Sequence, residues 1–261
     1  MKKAMIICLV VLFAIPLIPL FFQAVSFGWR WPHILPENYQ IEALKTVMKD
    51  PKLVEALLMT VWIGIIVLLI NLAVGIPAGK VLAFHSFKMK STIELLLIGP
   101  ILIPALAIAM GLHITFLKLG WANHWWGVAL VHLVPTLPYT IRIFKSGYER
   151  LGSKLIEQAL LLGVSKRKIF WTLELPLLLP TFRMAVVLIL LISFSQYALT
   201  AIIGGGSVVT LALIYYPYFH SSNPTMIASF SLVFIVLPII FLMVFEAAIR
   251  IMKVVERRSY D

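Results

Sequence analysis

Four side chains inside apolar stretches are of the types that nucleophilic chemistry uses: Ser193, Ser195, His132 and His113. A serine becomes a nucleophile when a histidine takes its proton and a third group orients that histidine. The sequence has no Gly-x-Ser-x-Gly and no His-Glu-x-x-His, and its long apolar stretches hold no acid that could orient the ring. In a membrane the same residues hydrogen-bond between helices, at ~0.6 kcal/mol on average, and this use suits them better. A phosphate-binding loop is also missing. Gly75-Ile76-Pro77-Ala78-Gly79-Lys80-Val81 has three residues between its glycines where four are needed, and Val81 stands where a hydroxyl should hold magnesium. The lone Cys8 supports neither a disulfide nor a metal cluster. The expectation is a chain with no catalytic residue, no metal and no cofactor of its own.

The segment Arg142–Pro176 is polar enough to lie in water yet carries much apolar surface. Leu155, Ala159 and Leu162 repeat at i, i+4 and i+7. Gly163 can adopt the positive φ that ends a helix, and Ser165 suits the N-cap of a second one. Ile169, Phe170 and Leu173 give that second helix an apolar side, and Pro176 lets the chain turn. The reading is helix–turn–helix. Such a surface must be covered by something, either the membrane face of the same chain or a partner.

The elements that would position these residues are membrane spans. Hydrophobic residues make up 61% of the 261, charged residues 13%, and the formal net charge is +11. A soluble domain is about 45–50% apolar and about 25% charged, so this composition excludes one, and disorder as well. A bilayer needs about 20 apolar helical residues. Ala4–Phe22, Ala56–Gly79, Leu95–Leu117 and Trp121–Ile141 qualify. The uncharged run Met184–Phe245 would reach about 93 Å as one helix, so it must fold back, at Gly204–Ser207 and at His220–Pro224. Val208–Phe219 is too short to span and reads as an interfacial segment rich in tyrosine. The spans are placed at about 4–25, 56–84, 93–117, 121–143, 177–203 and 225–249, with the loop 144–176 between the fourth and fifth. The first is read as an uncleaved helix, although Ala24-Val25-Ser26 would pass as a signal-peptidase site. With both termini inside, 17 of the 22 Lys and Arg face the cytoplasm, as the positive-inside rule requires. The basic residues are spread over four loops, which excludes a nucleic-acid stripe. Lys80 and Arg183 lie near span ends, where they can snorkel. No ionisable residue stands at mid-membrane, so a proton- or sodium-coupled carrier is not expected. Gly99, Gly111 and Gly127 read as close-packing positions.

Glu157-Gln158-Ala159, then Gly163, then Leu173-Glu174-Leu175-Pro176 resembles the EAA signature of binding-protein-dependent ABC importer permeases, Glu-Ala-Ala, Gly and Ile-x-Leu-Pro. The spacing is kept; Gln158 replaces the first Ala and Leu173 the Ile. The resemblance implies an all-α polytopic membrane protein of six spans in the bacterial inner membrane, with both termini cytoplasmic and a coupling helix between spans four and five. It implies that the loop, through Glu157, Gln158, Ala159, Gly163, Leu173, Leu175 and Pro176, docks on a cytoplasmic ATPase, and that ATP and magnesium are bound by that partner. The implied assembly is two permease subunits, two ATPase subunits and an external solute-binding protein. Asn71, His132, Ser193, Gln196 and Tyr197 are candidates to line the solute path, the last three because spacings of three and four share a helix face; each can equally hydrogen-bond between helices. Gly204–Leu211 resembles the loop after span five in polyamine, ferric iron and thiamine permeases. A non-transporting membrane component that docks an ATPase, or an intramembrane enzyme, would account for fewer of these features.

Overall fold

A computed structural model describes residues 11–12, 14–26, 28–29, 32–220 and 223–258, with backbone alone at 220, 248 and 251–258. Cys8, the N-terminal lysines and the start of the proposed first span lie outside the described residues. In chain order the helices are α1 (Leu17–Ala24), α2 (Glu42–Lys49), α3 (Pro51–Phe84), α4 (Lys90–Leu96), α5 (Gly99–Leu102) and α6 (Ala105–Lys118). They continue with α7 (Trp125–Leu151), α8 (Ser153–Leu161) and α9 (Lys166–Ile169), a π turn at Phe170–Glu174, and α10 (Leu175–Leu177). Then come α11 (Leu179–Phe194), α12 (Tyr197–Gly204), α13 (Leu211–Tyr215), a 3₁₀ turn at Tyr216–His220, and α14 (Pro224–Arg258). The extended pairing among the described residues is one isolated bridge, Ser26 with Tyr39. The architecture is all-α.

Among the described residues three helices are long and apolar enough to cross a membrane: Pro51–Phe84, Trp125–Leu151 and Pro224–Ala247. Two bent pairs, Lys90–Leu102 with Ala105–Lys118 and Lys166–Leu177 with Leu179–Phe194, raise the number to five if each is one span. The stretch 93–117, expected as one helix, turns by 100° between its halves. Pro104 is the cause: a residue before proline is pushed out of the α region, and Ile103 sits at φ −86°, ψ 130°. The fourth expected span extends beyond position 143, since α7 continues to Leu151 despite Pro135 and Pro138. Val208–Phe219 forms only α13 and the 3₁₀ turn, too short to cross, as its length predicts.

The chain forms two compact units, Met1–Leu57 with Thr210–Asp261, and Leu58–Val209. In the first, α1 and α2 pack on α14. The Thr225 hydroxyl donates to the Ser26 carbonyl at 3.2 Å, and the Gln40 amide to the Val25 carbonyl at 2.9 Å, so the chain after α1 is tied to the start of α14.

The second unit is built around α7. Its backbone comes close to α3 at glycine: a side chain at Gly75 would overlap Thr140, and a Cβ at Gly79 would lie 2.6 Å from Phe144 Cβ and 2.8 Å from the Lys145 nitrogen. Gly147 does the same against Thr181 of α11. Small residues let helix backbones approach where lipid offers no hydrophobic drive to associate. Gly127 packs on the Trp121 carbonyl, as its reading predicts, but a Cβ added at Gly99 or Gly111 would have no atom of the chain within 4 Å; close packing inside the chain is not their role.

Candidate functional site

The site residues expected from the sequence fall into two groups in the second unit. The first is the segment from Gly152 to Leu178. Helix α8 ends in a double closure: the Gly163 amide donates to the Leu160 carbonyl at 2.9 Å and the Val164 amide to the Ala159 carbonyl at 3.1 Å. This pattern needs a left-handed residue, and Gly163 sits at φ +78°. The four-residue step from Ala159 to Gly163 is therefore a geometric requirement of the helix end. Ser165 caps α9 as expected, its hydroxyl accepting from the Lys168 amide at 3.4 Å. The inward contacts are made by Ile156 and Ile169, both buried. Leu162, expected on the covered face, is 83% exposed and Leu161 is 88% exposed, because the helix ends at Leu161 and the chain leaves its axis. Glu157, Gln158, Gly163 and Pro176 are exposed, and Ala159, Leu173 and Leu175 half-buried.

Glu174, to which the sequence reading gave no role, is the buried anchor of this segment. Its carboxylate pairs with the Lys80 ammonium of α3 at 2.5 Å and accepts from the Tyr148 hydroxyl of α7 at 2.9 Å. Lys80 thus turns toward a buried acid rather than only snorkelling to water. A signal existed: one carboxylate in Leu173-Glu174-Leu175-Pro176 and one lysine ending an apolar helix are each costly without a partner.

The second group is a buried polar ladder. Asn71 Nδ2 donates to the Val67 carbonyl and to Thr136 Oγ1, both at 2.8 Å, and Asn71 Oδ1 accepts from the Thr140 hydroxyl at 2.8 Å. His132 Nε2 meets Thr200 Oγ1 and its Nδ1 meets Ser193 Oγ, each at 3.0 Å. The Thr200 hydrogen goes to the Gln196 carbonyl at 2.6 Å, so Nε2 is the donor to Thr200 and the Ser193 hydroxyl donates to Nδ1. Ser193 and His132 do come together, but the second ring nitrogen faces a threonine and no carboxylate, so the orienting acid of a hydrolase is absent from this pair. Span five is not one helix. It breaks at Ser195 and Gln196, where Gln196 has φ −76°, ψ 87°. The same-face argument for Ser193, Gln196 and Tyr197 therefore fails: Ser193 is buried on His132, while Gln196 and Tyr197 are half-buried beyond the break.

These bonds rank two substitutions. With Asn71→Leu, Thr136 and Thr140 keep backbone carbonyl partners at 2.8 and 3.0 Å, so the loss should stay under about 1 kcal/mol. His132→Leu removes the acceptor of the Ser193 hydroxyl and should cost about 1–3 kcal/mol. Thermal melting of the detergent-solubilised protein checks the order; a larger drop for Asn71→Leu would overturn the ranking.

Residues 72–258 match the family described as "binding-protein-dependent transport system inner membrane component". The chain is 28% identical over 142 residues to the molybdate/tungstate transport system permease protein WtpB of Pyrococcus furiosus, covering 54% of this chain and 57% of that protein. It is 29% identical over 174 residues to WtpB of Pyrococcus abyssi, covering 66% and 64%. The chain thus spans about three-fifths of the length of these relatives. Among solved structures it resembles a subunit of a bacterial ABC transporter involved in the import of the acidic polysaccharide alginate, with TM-score 0.65 over 98% of this chain and 94% of that one. At 12% identity that likeness is one of fold.

Proposed function

This chain belongs to the binding-protein-dependent ABC importer permeases, as a multi-pass inner membrane component, and from that premise we propose that it forms half of a solute pathway and is driven through its Gly152–Leu178 segment by a separate ATPase. The observation that carries the proposal is the outward face of that segment. Leu161 and Leu162 are almost fully exposed beside the exposed Glu157, while Glu174 and Ile169 hold the other face to the helices. An apolar tip with a flanking carboxylate fits a groove with a basic residue at its rim. The topology has six spans with both termini cytoplasmic, the segment lying on the same side. ATP binding closes the ATPase pair, the two segments are carried together, and two permease subunits rock between inward- and outward-facing arrangements. A solute-binding protein delivers the solute from outside. ATP and magnesium belong to the ATPase, and this chain hydrolyses nothing.

Span-five backbone leaves the helix at Ser195 and Gln196, and irregular backbone at membrane depth is tolerated against protein or water. We assign exposed Ser195, with Gln196 and Tyr197, to the solute path, and Asn71, His132 and Ser193 to its support. The relatives named for molybdate/tungstate make an oxyanion the first solute to test, followed by the polyamines, ferric iron and thiamine suggested by Gly204–Leu211.

Single cysteines at Lys88 and Ser165 should react with an impermeant maleimide only from the cytoplasmic side, and one at Lys45 only from outside. External labelling at position 165 would sink the proposal. Reconstitution with the ATPase and binding protein should give ATP-dependent uptake, which separates a permease from a docking component that moves no solute.

A further inference from the structure

The contact between the ATPase-facing segment and the membrane helices includes a buried charge, Glu174. Glu174 closes the π turn Phe170–Glu174, and its side chain is 2% exposed, so it cannot touch a partner protein. A π turn inside an α-helical stretch is rare and recurs at functional positions; here it is the turn that carries the carboxylate. One oxygen faces Lys80 of α3, the other Tyr148 of α7. The Lys80 ammonium also lies 5.6 Å from the Tyr148 ring centroid, and Phe84 of α3 meets the same ring edge-on at 5.6 Å. Three elements therefore converge on one carboxylate. Just beside it, at Gly79, α3 and α7 approach to backbone distance.

Resting on the coupling role proposed above, we propose that Glu174 is the positioning residue that passes displacement of the Gly152–Leu178 segment to α3 and α7. The chemistry favours this over simple packing. Apolar side chains slide past one another with a graded cost. A buried carboxylate drawn away from both partners would be left as an uncompensated charge, so the segment and the two helices either move together or do not move. Docking and transmission are thereby assigned to different faces of one segment: Glu157, Leu161 and Leu162 meet the ATPase, and Glu174 meets the membrane domain.

The test uses the complete transporter in proteoliposomes, with co-purification of the ATPase, basal hydrolysis, and uptake per ATP hydrolysed read for each variant. Glu174→Gln and Lys80→Met should keep the ATPase bound and basal hydrolysis unchanged, while uptake per ATP falls by about tenfold or more, a fraction of what breaking a buried ion pair can cost. The reversed pair, Lys80→Glu with Glu174→Lys, should recover part of that loss, since the two charges act as a pair. Tyr148→Phe removes one oxygen and keeps the ring packing; it should lower uptake per ATP by about threefold, a part of what a hydrogen bond to a charged group contributes. It decides the question even if the charge variants fail to fold. Wild-type uptake per ATP in Tyr148→Phe, or in both charge variants, would overturn the inference. If the wild-type chain itself binds no ATPase, the coupling reading fails instead.

Discussion

Gly163→Val is expected to abolish uptake and binding-protein-stimulated hydrolysis while the chain still inserts and pairs with the second permease subunit proposed above. The position is exposed, and a Cβ there would meet no atom within 4 Å, so space is not the obstacle. The backbone is. At φ +78° a β-branched residue costs about 1–3 kcal/mol. The chain can relieve that strain only by giving up the Val164–Ala159 and Gly163–Leu160 bonds that close α8. Leu161 and Leu162 would then change direction, and they form the proposed docking tip. The spans gain no strain, because no membrane helix contains the glycine. Gly163→Ala, with one methyl, should lose less, and Gln158→Ala should lose nothing. Measurement is by co-purification of the ATPase and by uptake in proteoliposomes. If Gly163→Val transports normally, this segment is not the coupling element.

Gly127→Ala should do the opposite, damaging the fold before the function. The added methyl would fall on the Trp121 carbonyl oxygen and 2.9 Å from its carbon. Backbone cannot rotate away as a side chain can, and this stretch is pinned. Trp121 and Ala122 amides both donate to the Phe116 carbonyl, at 2.7 and 3.1 Å, and the Asn123 amide donates to the Ile203 carbonyl at 2.8 Å. Overpacking of this kind costs about 1–3 kcal/mol or more. The expected result is a melting temperature lowered by several degrees, or little protein in the membrane. Gly111→Ala, where a Cβ meets nothing, is the matched control and should behave as wild type. Equal stability of the two variants would show that the α6–α7 turn yields more than its bonds suggest.

The sequence makes the long elements legible because their signal is strong. Apolar length alone marks α3 and α14, and Gly163 and Ser165 announce the turn between α8 and α9 by residue type. Three features were not legible, each for a physical reason. The 100° bend in the third stretch follows from Pro104, yet Pro135, Pro138 and Pro238 sit inside continuous helices; neighbouring helices decide whether a proline breaks or is absorbed. The break at Ser195–Gln196 has neither glycine nor proline. The role of Glu174 depends on Lys80, 94 positions away, and a one-dimensional pattern cannot pair them.

The buried ladder also sets a timetable for synthesis. Asn71 finds Thr136 and Thr140 only 65 and 69 residues later in the chain. At about 5–20 residues per second, roughly 3–13 s pass between the emergence of Asn71 and that of Thr136. During that interval a primary amide made for the interior of a helix pair has no pair. His132 waits in the same way for Ser193 and Thr200. Helices α3 and α7 thus emerge before the helices that bear their polar partners. The order in which the helices are made is therefore part of how this bundle excludes lipid from its polar core.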